Sequence, residues 1–288
     1  MKICFSCGCR FEEVSWQCPS CHASPKLLEG FPAFALNFAE TNEGFEAEYF
    51  DELAPLEAKN FWFRSRNRLI VWALAKYFLD IGSFLEIGCG TGYVLSGFER
   101  TFPGLRLSGS EIFSNGLKYA KNRVSRCDLL QMDARDIPFE EEFDVIGAFD
   151  VLEHIAEDGQ VLSEMYRATR PGGGIILTVP QHDFLWSQAD EHAHHERRYS
   201  AKDLGRKVQQ AGFTVVRETS FVSLLLPLMM LSRLGKRNPD KVCDPLAELK
   251  IGGLTNWTLG GVLALERLLI RMGLSLPVGG SLLLVARK

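Results

Sequence analysis

Residues 84–92 read FLEIGCGTG: an apolar run that carries one acid, Glu86, straight into a loop with glycines at 88, 90 and 92. An apolar strand that delivers a glycine loop to a helix N-terminus is how parallel α/β sheets hold nucleotides. A dinucleotide loop, however, needs G-x-G-x-x-G or a closing Ala. Here the spacing is G-x-G-x-G, and Tyr93 stands where the small residue belongs. Glu86 would repel a pyrophosphate and attract a cation or an amine. The loop suits a nucleoside whose 5′ substituent is positive.

Outward from the loop, strand-like runs fall at residues 84–87, 105–110, 128–132, 143–149, 174–179, 214–219 and 281–286. Helical patterns cover 66–80, 92–101, 114–124, 157–169 and 201–211. This alternation predicts an α/β domain with one open, Rossmann-like sheet of seven strands. At 288 residues with 46% hydrophobic content, the chain can bury one large core plus a small module. The predicted division is a module at 1–30, a linker with an N-terminal helical segment at 31–60, and the sheet domain at 61–288. Pro25, Gly30, Pro32 and Gly44 make 23–45 read as linker, and a helical insertion is expected at 221–279, before the last strand.

A nucleoside of that kind is S-adenosylmethionine, which carries a sulfonium and an ammonium group and no phosphate. From residue 62 onward the chain resembles the class I SAM-dependent methyltransferases of the type 11, 12 and 23 kind. The resemblance rests on the glycine loop, Glu111, Asp133, Asp150-Val-Leu-Glu-His154 and Arg170-Pro-Gly-Gly173. It implies that Gly88, Gly90 and Gly92 pass under the methionine part of the cofactor, with Glu86 where the family often has Asp. Glu111, at a strand end about twenty residues on, would accept from both ribose hydroxyls. Ile112 would cover one adenine face and Met132 would pack on the base. Asp133 would accept from the adenine amine while the Ala134 N–H donates to the ring, and Asp150 would form a wall near the methyl. Arg170–Gly173 reads as a tight turn into the fifth strand.

Five of the six histidines lie between residues 154 and 195, most of them in the ADEHAHHERRYS loop. A hydroxyl acceptor needs a base, so His154, His182 and His195 are the catalytic candidates. Arg198 and Tyr199, with Trp62 and Arg66 from the helix before the first strand, are the candidate substrate residues. The same loop also reads as a lid held by hydrogen bonds, with Arg198 paired to an acid, and His192, His194 and His195 form an alternative metal set.

Cys4-x-x-Cys7 and Cys18-x-x-Cys21 offer four thiolates on two tight turns, the donor set of a structural Zn2+ in a zinc ribbon. Cys9 and His22 are spare donors. In the insertion, Leu259, Val262, Leu263, Leu265, Leu268, Leu269 and Met272 recur at helical spacing, with Glu266, Arg267 and Arg271 on the other arc. That helix reads as core packing or as a peripheral membrane or lipid contact. The apolar run at 221–231 is broken by Pro227, no transmembrane segment is expected, and no leader is apparent, so a cytoplasmic protein is expected. A formal net charge of −4 disfavours nucleic acid as partner. The expected function is methyl transfer from SAM to a small, apolar or lipid-linked acceptor at oxygen. Two alternatives stay open: an rRNA or tRNA methyltransferase guided by the ribbon, and a non-catalytic SAM-binding regulator.

Overall fold

The computed structural model describes residues 1–38, 48–234 and 250–288. Its elements begin with strands β1 (Lys2–Ile3), β2 (Arg10–Phe11), β3 (Lys26–Leu28) and β4 (Phe31–Ala33), then helices α1 (Glu48–Glu57) and α2 (Phe61–Tyr77). An alternating run follows: β5 (Ser83–Ile87), α3 (Tyr93–Thr101), β6 (Arg106–Glu111), α4 (Ser114–Arg123), β7 (Cys127–Gln131) and β8 (Phe143–Phe149). After a 3-10 turn at Leu152–His154 come α5 (Asp158–Ala168), β9 (Thr169–Pro180), α6 (Gln188–His192), α7 (Ala201–Gln210), β10 (Thr214–Phe221), α8 (Leu226–Leu234), α9 (Gly253–Arg271) and β11 (Ser281–Arg287).

Nine strands form one sheet in the order β10-β11-β9-β8-β5-β6-β7-β4-β3. β5 is buried along its whole length and pairs in parallel with β6 and β8, as a central strand covered by helices on both faces must be. Phe84 and Leu85 point to opposite faces. Phe84 joins Leu95, Phe98 and Leu107 in one core layer, and Leu85 joins Ile146, Leu162 and Leu177 in the other. β11 runs antiparallel between β9 and β10.

Two expectations are corrected. Within the stretch read as linker, β3 and β4 pair as a hairpin, and Ala33 joins the sheet edge opposite Gln131. The buried Phe31 and Ala33 provide the anchor, and Pro32 is tolerated because the strand is short and near the edge. The rest of that linker, 39–47, and the middle of the insertion, 235–249, lie outside the described residues. The expected tight turn at Arg170–Gly173 is present inside β9: Thr169 pairs with Phe143, residues 170–173 loop out with Gly172 at φ +80°, and pairing resumes at Gly174 with Val145. In α9 the expected faces are partly reversed. Glu266 is buried and accepts the backbone N–H groups of Val222, Ser223 and Leu224 at 2.6–2.8 Å, while Leu265, Leu268 and Met272 are exposed.

The cysteine module docks on the segment between β7 and β8. Ile3 N–H donates to Pro138 O, Glu140 N–H to Met1 O, and Trp16 packs edge-on against Phe34 and Phe139 with ring centroids 4.7 and 5.4 Å away.

Candidate cofactor and acceptor site

Two loops leave the sheet side by side at the carboxyl ends of β5 and β8, where the strand order reverses. Open α/β sheets bind ligands in that crevice. Gly88 has φ +64°, and a Cβ there would stand 2.5 Å from Val151 Cγ2 in the neighbouring loop. Gly92, just before α3, has φ +73° and lies 3.0 Å by the same measure from the Ala120 backbone of α4. Glycine alone meets both demands without strain or clash.

Glu86, one residue before the end of β5, is buried, and its Oε2 has no hydrogen-bond partner. Burial pushes its carboxyl well above the ordinary range, against the pull of Arg66. An unpaired buried oxygen costs about 1–3 kcal/mol, which a ligand's donor would relieve. Arg66 is also buried. Its Nη2 lies 2.7 Å from Asp150 Oδ2, its guanidinium sits over the rings of Trp62 and Phe149, and its Nε is also without a partner. Asp150 holds φ +57° and accepts from Thr178 Oγ1 at 3.1 Å. Trp62, Arg66 and Asp150 thus converge on one ion pair in the electrostatic reach of Glu86.

Glu111 ends β6. Its Oε2 accepts Gly90 N–H at 2.9 Å, and its Oε1 accepts Ile112 N–H at 2.9 Å and Phe113 N–H at 3.3 Å. Burial raises its pKa while these donors oppose. Three donors leave one of the roughly four acceptor sites of a carboxylate for a ligand hydroxyl. Asp133 differs from expectation. Its carboxylate takes the Arg135 backbone N–H at 2.8 Å and the guanidinium through Nε and Nη2 at 2.8–3.1 Å, so most of its capacity for an adenine amine is already used. Met132 and Ala134 are buried in the core, which leaves the half-buried Ile112 as the apolar side chain at this end.

The helical segment expected within 31–60 is α1, and sequence reasoning missed that it covers the glycine loop. A Cβ on Gly90 would lie 3.6 Å from the Phe50 ring of α1. Buried Glu57 accepts Thr91 Oγ1–H at 2.7–2.8 Å and pairs with Arg123, which also reaches Thr91 Oγ1 and Ala54 O. The available signal was Phe50, Leu53 and Ala54 at helical spacing, obscured by Pro55 inside the helix.

On the acceptor side, the histidine loop is organised around Asp190, which is buried. It accepts Arg198 Nε and Nη2 at 2.7 and 2.9 Å, faces His195 Nδ1 at 2.9 Å, and takes Ser187 N–H at 2.8 Å. Burial, which would raise its pKa, is outweighed by His195 and Arg198. Two substrate expectations are corrected here. Arg198 spends its charge on Asp190, and the Tyr199 hydroxyl is buried, donating to Asp158 Oδ2 at 2.7 Å beside Leu152 O. Burial, helped by Asp158, keeps that phenol protonated. His154 packs edge-on against His195 with centroids 4.7 Å apart, and burial and His195 depress its pKa to about 4. His182 has φ +65°, stacks on Phe184 at 5.0 Å, and buries an Nε2 that has no partner. Burial and then Arg198 lower its pKa. His192 and His194 are exposed. Among the described residues His195 clusters with Glu153 and His154 rather than with them.

The family model described as a methyltransferase domain matches residues 85–177, from β5 to β9, and takes in both loops of the crevice. The stretch from β5 to β9 thus resembles a SAM-dependent methyltransferase domain. A Mycolicibacterium smegmatis protein named as an S-adenosylmethionine-dependent methyltransferase is 28% identical over 56% of this chain and 62% of its own length. The malonyl-[acyl-carrier protein] O-methyltransferase of Brevibacillus brevis is 28% identical over 47% of this chain and 55% of its own. The fatty-acid O-methyltransferase of M. smegmatis is 31% identical over 36% and 40%. The chain therefore spans less than two thirds of each of these relatives. Among solved structures, a chain of the complex between the Haloferax volcanii Trm112 methyltransferase activator and a methyltransferase has TM-score 0.56 at 20% identity, covering 84% of this chain and 96% of that one. The [4+2]-cyclase SpnF has TM-score 0.53 at 20% identity, covering 79% and 83%. At such identity the likeness is one of fold, and a cyclase on the methyltransferase fold shows why function must be argued from the site.

Outside the methyltransferase domain, the sulfurs of Cys4, Cys7, Cys18 and Cys21 lie within 4.8 Å of one another, with Cys4–Cys21 at 3.5 Å and Cys7–Cys18 at 3.7 Å. Four sulfurs about 2.3 Å from a common tetrahedral centre stand roughly 3.8 Å apart. Backbone N–H groups of Cys21 and Ser20 hold the Cys18 thiol down to about 6, so it ionises readily. Cys9 lies outside this set.

Proposed function

We propose that the chain binds S-adenosylmethionine in the crevice between β5 and β8 and moves its methyl group to an oxygen of a small apolar or lipid-linked acceptor. The observation that carries this reading is the pair of unpartnered, buried polar atoms, Glu86 Oε2 and Arg66 Nε, one suited to an ammonium and the other to a carboxylate. When bound, the cofactor supplies a methyl on a sulfonium, already a good leaving group. Glu86 and Arg66 fix its amino-acid end, Glu111 takes a ribose hydroxyl and Ile112 flanks the base. Positioning of this sort provides much of the rate in an in-line transfer. His182, through Nε2, takes the proton of the acceptor hydroxyl.

The acceptor class draws support from the relatives named as malonyl-[acyl-carrier protein] and fatty-acid O-methyltransferases. It also draws on the surface of α8 and α9, which exposes Leu228, Leu231, Leu254, Trp257, Leu265 and Leu268. Beside α9 lies a cleft of ≈ 660 Å³ lined by Arg64, Arg68, Arg100, Arg267 and Arg271, suited to anionic headgroups at a lipid surface. No helix of the described residues is long and apolar enough to cross a membrane. The four thiolates hold a structural Zn2+ that braces the module.

The test is transfer of labelled methyl from SAM by the full chain, offered free fatty acids, carboxylate-bearing acyl thioesters and hydroxylated lipids. Label should enter the organic phase, and with a hydroxylated lipid as acceptor His182→Ala should slow transfer about a hundredfold with S-adenosylhomocysteine affinity unchanged, whereas a carboxylate acceptor, which holds no proton at neutral pH, should be unaffected. Label found only in RNA would overturn the acceptor assignment. Cofactor binding without transfer to any class would overturn catalysis.

A further inference from the structure

Glu153, His154 and His195 stand on the acceptor side of the crevice, each with a ligand atom within 4.8 Å of the other two. Glu153 is 0% exposed, yet neither carboxylate oxygen has a hydrogen-bond partner. A buried carboxyl in that state calls for a cation or a donor. Both imidazoles are oriented from behind. His195 Nδ1 faces Asp190 Oδ1 at 2.9 Å, and Asp190 is itself fixed by Arg198 and Ser187. With the proton held at Nδ1, Nε2 keeps its lone pair for a ligand. The His154 ring has the Ala193 backbone carbonyl beside it. A carboxylate or carbonyl behind each imidazole is the support that metal-binding histidines use. The loop is clamped in register by Glu196 N–H, which donates to Glu153 O at 2.7 Å.

We propose that Glu153, His154 and His195 bind one divalent first-row metal ion through a carboxylate and two imidazoles, leaving a coordination position open. Two nitrogens and one carboxylate suit Mn2+, Fe2+, Co2+ or Zn2+ better than Ca2+. Glu153 closes the buried side, whereas His154 and His195 are half-buried, so the open position faces solvent. The 3-10 turn carrying two of the ligands follows Val151, which packs on Gly88 of the cofactor loop. An acceptor oxygen bound there would be held beside the crevice and made more acidic, and its O–H proton would pass to His182 Nε2. That role rests on the methyl-transfer reading; the metal site itself does not.

The experiment uses the full chain loaded with one equivalent of zinc, which the four thiolates of the cysteine module take first, then titrated with Mn2+, which thiolates bind poorly, and followed by the electron paramagnetic resonance of free Mn2+. One further ion should bind per chain. Glu153→Gln and His195→Ala should each weaken it at least about a hundredfold, and Asp190→Asn, which keeps all three ligands, by about ten- to a hundredfold. Because a buried substitution can unfold the chain, Co2+ added to the unsubstituted protein carrying one equivalent of zinc gives a second reading. Its visible bands should appear without thiolate charge-transfer absorption. If the unsubstituted chain takes up neither ion beyond the cysteine module, or if folded Glu153→Gln and His195→Ala bind Mn2+ as it does, the proposal is wrong. Mn2+ binding without S-adenosylhomocysteine binding would keep the metal site and remove the methyl-transfer reading.

Discussion

Asp158 gathers Lys207 Nζ at 2.5 Å, the Tyr199 hydroxyl at 2.7 Å and Arg197 Nη1 at 2.8 Å. Burial alone would raise its carboxyl pKa, but these partners hold it below the ordinary value. A carboxyl lowered in the folded state stabilises at pH above its unfolded pKa of about 3.9, and that stability is lost as pH falls through the folded value. Asp158→Asn should therefore cost about 1.5–3 kcal/mol at pH 7, and the gap to the unsubstituted chain should shrink near pH 3. Urea unfolding at the two pH values checks this; an equal gap at both would refute it. The same residues mark what could be read from sequence. Glu86 and the glycines were legible because their chemistry is local to one loop. The inward turn of Arg198 and Tyr199 was not, because it depends on Asp190 and on Asp158, 41 positions before Tyr199.

Helix α1 covers the cofactor loop through Phe50 and through the buried Glu57, Thr91 and Arg123 cluster. Glu57→Ala should free it, speeding amide exchange across 48–57 and lowering S-adenosylhomocysteine affinity roughly tenfold, about 1.4 kcal/mol. Unchanged exchange and affinity would show that α1 is only adjacent. The central strands were legible as elements because burial on both faces demands continuous apolar runs. The β3–β4 hairpin escaped because strands of three residues, one holding Pro32, carry no period. The face of α9 was misread because Glu266 turns inward to hold the backbone of 222–224, an exception that hydrophobic periodicity cannot anticipate.

At the scale of the whole molecule, the cysteine module touches the methyltransferase domain through residues 138–140, Phe34 and Phe139. The crevice is built from β5, β6 and β8 and the helices beside them. Cys18→Ser should accordingly release zinc and unfold the module, whose own core is little more than Phe11 and the buried Cys4 and Cys18, while cofactor binding persists; metal analysis with calorimetry would show it, and loss of both together would mean that the two parts fold as one. The central claim is that the unpaired Glu86 and Arg66 atoms and the Glu111 carboxylate form a SAM site. Burial holds Glu86 well above the ordinary range when no ligand is bound, so an ammonium placed on it should drive a proton off. The most direct measurement is calorimetric titration with S-adenosylhomocysteine in two buffers of different ionisation enthalpy. The account predicts one site per chain, proton release that disappears in Glu86→Gln, and affinity lowered by about 1.5–3 kcal/mol in Glu111→Ala. No binding heat, or equal binding of NAD, would contradict it.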